Sequence, residues 1–140
     1  MKPKQFLIAL LIVFVVHFGL EFLIHGVLLK PTYDQTRELW RPEQEQMTHF
    51  PAMLAGQFLV VLAFLVIWAK GFAEKGTLKC GAMYGLFMGL FAGGGQLIMH
   101  AVQPLPLGLV LTWIAIGCAE AALLGMIAAK LMKPRTASQS

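Results

Sequence analysis

Charged residues are scarce in this 140-residue sequence: they make up 13% of the chain, whereas 58% of the residues are hydrophobic and the mean hydropathy is +0.72. An ordinary soluble domain carries about 25% charged residues, so this composition excludes a chain surrounded entirely by water. The length predicts a single domain. The sequence therefore predicts that a lipid bilayer contacts much of the protein surface.

Cysteine and catalytic motifs are also nearly absent. The two cysteines, Cys80 and Cys118, belong to no CxxC pair, which argues against a disulfide framework or a cysteine zinc site and predicts free buried thiols. The sequence contains no glycine-rich phosphate loop between a strand and a helix, no nucleophile elbow and no Ser–His–Asp pattern. It offers no catalytic residue, which favours a protein that is not an enzyme.

Long hydrophobic runs are what the sequence has in abundance. They cover Phe6–Leu29, Phe50–Ala69, Cys80–Val102 and Leu107–Ala129. Each is near or above the ~20 residues that a helix needs to cross a bilayer, and none alternates as a barrel strand does. The first run is too long for the core of a signal peptide, which spans ~7–15 residues, and no A-x-A site follows it, so we expect it to be retained.

These runs predict an all-α fold, an integral membrane four-helix bundle. A single transmembrane domain is expected at residues 1–133, with a disordered cytoplasmic tail at 134–140. The predicted helices cover about 6–29, 43–69, 78–102 and 107–131.

The positive charges predict how a multi-pass protein would be oriented. Of the 11 lysines and arginines, all but Lys30, Arg37 and Arg41 lie at the N-terminus, in the second loop or at the C-terminus. By the positive-inside rule, both termini are cytoplasmic and the first and third loops face outward. Because this arrangement explains the net charge of +4, no nucleic acid partner is expected.

The first loop, residues 30–42, is the one extended polar segment. We expect it to contain a short interfacial helix that Thr32 caps and Pro42 ends. Tyr33 and Trp40 would lie at the membrane interface, as aromatic residues commonly do.

Small residues recur at every fourth position in the last two predicted helices. The positions are Gly81, Gly85, Gly89 and Gly93 in one helix and Gly117, Ala121 and Gly125 in the other. Such stripes allow two helix backbones to approach closely. They predict that the two helices pack face to face, although the same stripes could instead form a homodimer.

All four histidines and two acids are predicted to lie between the middle of the membrane and its outer surface. They are His17, Glu21, His25, His49, His100 and Glu120. A carboxylate in hydrocarbon costs on the order of 2.5–3.5 kcal/mol, so both acids are expected to face the bundle interior. His17 and His25 are ~12 Å apart along a helix. One ion could therefore join Glu21 to either histidine, but not to both.

Three functional hypotheses fit these residues. A transition-metal ion (zinc, iron, copper or manganese) would suit mixed imidazole and carboxylate ligands, with Glu21, His25, His100 and Glu120 as the leading set and His49 and His17 as further candidates. A proton or solute pathway would also suit a His–Glu chain. A b-type haem held by His25 and His100 would suit two histidines at matched depth.

A fourth hypothesis, from a different class, is that the polar residues only tie helices together. The protein would then be a non-catalytic accessory subunit of a larger membrane complex.

A short internal similarity relates the first and third helices. The stretch "EFLIHGV" (21–27) aligns with "QLIMHAV" (96–102), which pairs Glu21 with Gln96 and His25 with His100. Either a duplicated helical hairpin or chance could produce it.

The stretches "FLIHGVLLKPTY" and "ELWRP" resemble the end of the first helix and the first loop of uncharacterised small four-helix inner-membrane proteins of bacteria. This resemblance implies a location in the bacterial inner (cytoplasmic) membrane. It implies no particular activity.

Overall fold

The computed structural model describes residues 3–74 and 76–132, and within them it is all-α. The long helices are α1 (Pro3–Glu21), α3 (Glu43–Gly71), α4 (Leu78–Val102) and α5 (Leu107–Leu131), with the short helix α2 (Lys30–Gln35) after the first. A π-helical segment, Phe22–Leu28, continues α1, and a 3-10 turn, Arg37–Leu39, follows α2. The predicted all-α four-helix bundle is confirmed. The predicted disordered tail lies outside the described residues.

Four helical segments are long and apolar enough to cross a membrane. They are Pro3–Leu28, Glu43–Gly71, Leu78–Val102 and Leu107–Leu131. Large apolar side chains cover their outward faces; Phe91, for example, is 83% exposed. Since water would not favour such a surface and lipid does, the chain is a membrane protein.

Contacts along the bundle show that α5 runs antiparallel to both α1 and α4. Gln5 Nε2 near the start of α1 donates to the carbonyl of Leu131 at the end of α5, at 2.8 Å. Gly81 near the start of α4 lies against Gly125 near the end of α5. We call this side the terminal end of the bundle, and the side with residues 29–42 and 103–106 the loop end.

The α4–α5 pair is the most closely packed part of the structure, and it uses the small-residue stripes. A Cβ placed on Gly85 would overlap the Ala121 carbonyl, and one on Gly89 would lie 2.7 Å from Cys118 Cα. Real Cβ atoms do not approach a backbone this closely, so these positions need glycine. The packing that the four-residue spacing predicts is therefore present within a single chain.

The apolar core fills the terminal end. It comprises Ala9, Val13, Val61, Phe64, Leu65, Trp68, Tyr84, Leu124, Ala128, Ala129 and Met132. Tyr84 links α4 to α3, because its hydroxyl donates to the Phe64 carbonyl at 2.5 Å and its ring lies 5.4 Å from that of Trp68. The polar candidates are thus left to the middle and the loop end.

The first loop contains the expected short helix, but Thr32 does not cap it. Leu29 occupies the N-cap position with helical backbone angles, and Tyr33 N donates to its carbonyl at 3.0 Å. The helical path continues almost unbroken from Leu28 into α2, so no capping side chain is needed. Thr32 lies inside α2, where its carbonyl accepts from Thr36 Oγ1. The helix also ends before Pro42, which instead precedes α3.

The close approach of α4 and α5 leads to a first prediction. Gly85→Ala should lower the stability of the protein by about 1–3 kcal/mol, because the added methyl overlaps a backbone carbonyl that cannot move away cheaply. The matched control is Gly95→Ala on the same helix, where an added Cβ meets nothing within 4 Å. Thermal unfolding in mild detergent measures both. A Gly85→Ala protein that melts at or above the wild-type temperature would contradict the packing.

Candidate metal centre

A buried contact between α1 and α5 forms the base of the site. His17 Nδ1 lies 2.8 Å from Glu120 Oε1, and the two side chains are only 11% and 8% exposed. With a proton on Nδ1, the imidazole donates to the carboxylate in a charge-assisted hydrogen bond. This bond connects the middle of the first helix to the middle of the last.

Glu21 joins this pair from the next turn of α1. One ligand atom from each of His17, Glu21 and Glu120 can be chosen so that all three lie within 4.8 Å of one another. Metal–ligand bonds of about 2.0–2.2 Å place two ligands of one ion up to about 4.4 Å apart. Small side-chain rotations would therefore bring the three atoms around a single ion.

His25 lies beside Glu21 on the loop-end side. Its Nε2 is 3.6 Å from Glu21 Oε2, and its Nδ1 is 2.5 Å from the Tyr33 hydroxyl. That hydroxyl accepts from Trp113 Nε1 at 2.9 Å, so its own proton is free to be donated to Nδ1. The remaining N–H of a neutral His25 then resides on Nε2, toward Glu21.

The π-helical segment changes the direction in which His25 projects. At its end, Leu29 N donates to the Ile24 carbonyl at 2.8 Å, which closes a wider turn than an α-helix has. Residues after Glu21 therefore no longer follow the rotation of α1. Segments of this kind occur frequently at functional sites.

Aromatic rings cover the loop end of the site. The Tyr33 ring centroid lies 5.4 Å from that of Trp40 and 6.4 Å from that of Trp113, and the two tryptophans are 6.1 Å apart. Burial raises the pKa of Tyr33 above its usual value, although the hydrogen bond from Trp113 acts in the opposite direction. The phenol stays protonated at neutral pH and remains a donor to His25.

A cavity of about 120 Å³ adjoins the cluster. Its lining residues are Glu21, Ile24, His25, Gln96, Trp113, Ile116, Gly117 and Glu120. A buried water needs roughly 10–15 Å³ of such space, so the cavity can hold several waters or a hydrated ion. Gln96 Oε1 is buried here and has no hydrogen-bond partner among the described residues.

Two histidines of the predicted set lie elsewhere. His100 Nδ1 lies 2.7 Å from the Leu105 carbonyl, so its ring binds the turn between α4 and α5. His49 is exposed, 3.9 Å from Glu45 on its own helix. The structure thus assembles Glu21 and Glu120 with His17 rather than with His100. The cavity beside His25 does not include His100 among its lining residues, so this geometry adds no support for the haem hypothesis.

Three residues contribute in ways that their sequence positions did not indicate directly. Gly117, predicted for packing, also lines the cavity, and an added Cβ there would meet nothing within 4 Å. Trp113 carries no sequence signal beyond that of a membrane tryptophan. Gln96 had one signal, its alignment with Glu21 in the internal similarity, and both residues do line the cavity.

The buried pair leads to a second prediction. His17→Leu keeps most of the side-chain volume but leaves Glu120 without its hydrogen-bond donor, and it should cost about 1–3 kcal/mol of unfolding free energy. Glu120→Gln keeps an acceptor and should cost less. The control is His49→Leu, at an exposed site. Unfolding in mixed micelles measures the stability of each variant. Equal stability of His17→Leu and His49→Leu would contradict the prediction.

Comparison of the chain with protein-family models, with curated proteins and with solved structures found no match. The chemistry of the site itself therefore has to indicate the function.

Proposed function

We propose that this membrane protein binds a divalent metal ion within the bundle, with His17, Glu21 and Glu120 as its protein ligands. The supporting observation is that three ligand atoms from α1 and α5 lie within 4.8 Å of one another beside a polar cavity. Mixed imidazole and carboxylate ligands suit first-row transition metals. Two carboxylates and a neutral imidazole also balance the charge of one divalent ion.

The need for charge balance supports a bound cation. Among the described residues, the ion pairs of Glu21 and Glu120 involve histidines and neither lysine nor arginine. Two carboxylates held close together in a bundle surrounded by lipid are unfavourable when both are ionised. A divalent ion removes this cost, and protons are the alternative.

The proposed setting is the bacterial inner membrane, with both termini in the cytoplasm and the loop end outside. The lysines and arginines, which are concentrated near the termini and in the second loop, support this orientation. The ion would then enter from the outer side. Because an apolar core fills the terminal end, we propose binding from outside rather than open passage across the membrane.

Metal analysis of the full chain, purified in mild detergent, tests the site. After dialysis against Mn²⁺ or Zn²⁺, elemental analysis should find about one ion per chain, as one three-ligand cluster implies. Glu21→Ala and His17→Ala should lose the ion because each removes a ligand. His100→Ala should keep it, because its ring binds the Leu105 carbonyl instead.

Two results would contradict the metal site. One is a wild-type protein that binds neither ion. The cluster would then only hold helices together, as the accessory-subunit hypothesis states. The other is loss of the ion in His100→Ala with retention in His17→Ala, which would return the site to the residues that sequence spacing favours.

A row of neighbouring polar groups favours proton transfer as a second candidate function. From the loop end, the row passes from the Tyr33 hydroxyl through His25 and Glu21 to Glu120 and His17. Its four contacts, in order, are 2.5 Å, 3.6 Å, within 4.8 Å between Glu21 and Glu120, and 2.8 Å. Such His–Glu chains in membrane bundles commonly relay protons.

Proton uptake by liposomes containing the protein tests this candidate. Tyr33→Phe should reduce the uptake about tenfold or more, because it removes the hydroxyl at the start of the row. The control is Trp40→Phe, which alters the same aromatic cluster. Trp40 is not part of the row, because its Nε1 donates to Thr36 Oγ1. Equal uptake by the wild type and Tyr33→Phe, or no uptake above that of empty liposomes, would exclude proton transfer by this route.

A further inference from the structure

Gln96 on α4 lines the same cavity as Glu21 and Glu120. Its Oε1 atom is buried and has no hydrogen-bond partner within the described part of the chain. Leaving such an atom unpaired costs about 1–3 kcal/mol. A donor or a cation in the cavity would remove that cost.

We infer that Gln96 is a further oxygen ligand of the site, bound to the ion directly or through one of its waters, and that the site therefore favours a six-coordinate, partly hydrated divalent cation of the Mn²⁺ type over Zn²⁺. This inference rests on the proposed metal site at His17, Glu21 and Glu120. It adds α4 as a third helix that supplies a ligand, and it specifies the class of ion.

The donor set supports this choice of ion. With Gln96 included, the set contains two carboxylates, one amide oxygen and one imidazole. Oxygen donors suit hard cations such as Mn²⁺, whereas thiolates select zinc and other softer metals. The thiol on α5 is that of Cys118, which does not line the cavity. The backbone of Cys118 packs against Gly89 at the α4–α5 interface.

The size of the cavity supports it as well. Zn²⁺ in proteins usually has four tetrahedral ligands, whereas a six-coordinate ion with four protein ligands retains about two waters. A space of about 120 Å³ accommodates these waters. Gly117 contributes to that space, because its missing side chain leaves open room at the wall of the cavity.

A second glutamine provides a matched control. Gln57 on α3 also has a buried Oε1 without a hydrogen-bond partner among the described residues, but it does not line the cavity. A general effect of replacing a buried amide in a membrane helix would appear at both positions. An effect on the ion would appear at Gln96 alone.

The experiment measures Mn²⁺ binding by electron paramagnetic resonance and Zn²⁺ binding by competition, on the full chain in detergent. Gln96→Leu should weaken Mn²⁺ binding about tenfold and Zn²⁺ binding less than about threefold, in line with the usual effect of losing a supporting ligand. Gln96→Glu, which keeps an oxygen donor of the same length, should retain Mn²⁺ binding. Gln57→Leu should leave both affinities unchanged.

Three results would overturn the inference while leaving the metal site intact. The first is that Gln96→Leu binds Mn²⁺ with an affinity within about twofold of wild type. The second is that this variant loses Mn²⁺ and Zn²⁺ affinity equally. The third is that Gln57→Leu lowers Mn²⁺ affinity as much as Gln96→Leu does. If Gln96→Leu fails to give a monodisperse protein, loss of Mn²⁺ selectivity in a folded Gln96→Met, which lacks the oxygen, provides the same test. Failure of the proposed function is distinguishable, since the wild type would then bind neither ion.

Discussion

The hydrogen bond between His17 and Glu120 is the interaction on which the arrangement of the site depends. A carboxylate at this depth needs a partner, because lipid offers none and the cost of leaving it unpaired is several kcal/mol. Glu120 finds its partner on α1, so this bond sets how α1 rotates against α5. That rotation also turns Glu21 inward, since it lies on the same helix face four residues later. The polar cluster is thus a consequence of pairing one buried acid.

The α4–α5 pair supplies the fixed frame against which α1 is placed. Its glycines hold the two backbones in contact, so Glu120 on α5 and Gln96 on α4 are presented from one closely packed unit. The apolar core then closes the terminal end, whereas the loop end is covered by the aromatic rings of the first loop and Trp113. The terminal end is therefore apolar, whereas at the loop end a small apolar cluster of Ile24, Leu29 and Leu109 lies beside the polar groups.

Sequence alone was sufficient for the helices, for the pairing of the glycine stripes and for the inward direction of both acids, because each follows from hydrophobicity, spacing or the cost of exposing charge to lipid. The choice of histidine partner was not predictable. His100 lies in the last turn of α4, where a carbonyl of the following turn is within reach. The π-helical segment redirects His25 toward Tyr33. Both effects depend on local backbone geometry that a regular helical projection does not contain.

An ion bound at the site would contact the same side-chain atoms of His17 and Glu120 that connect α1 to α5. If Nδ1 of His17 bound a metal, its hydrogen bond to Glu120 would be replaced by an ion that both residues share. The connection between α1 and α5 would remain, but it would then depend on the ion. A ligand that binds the folded state alone adds RT ln(1 + [L]/Kd) to its stability. Occupancy of the proposed site would thereby be thermodynamically coupled to the packing of α1 against α5.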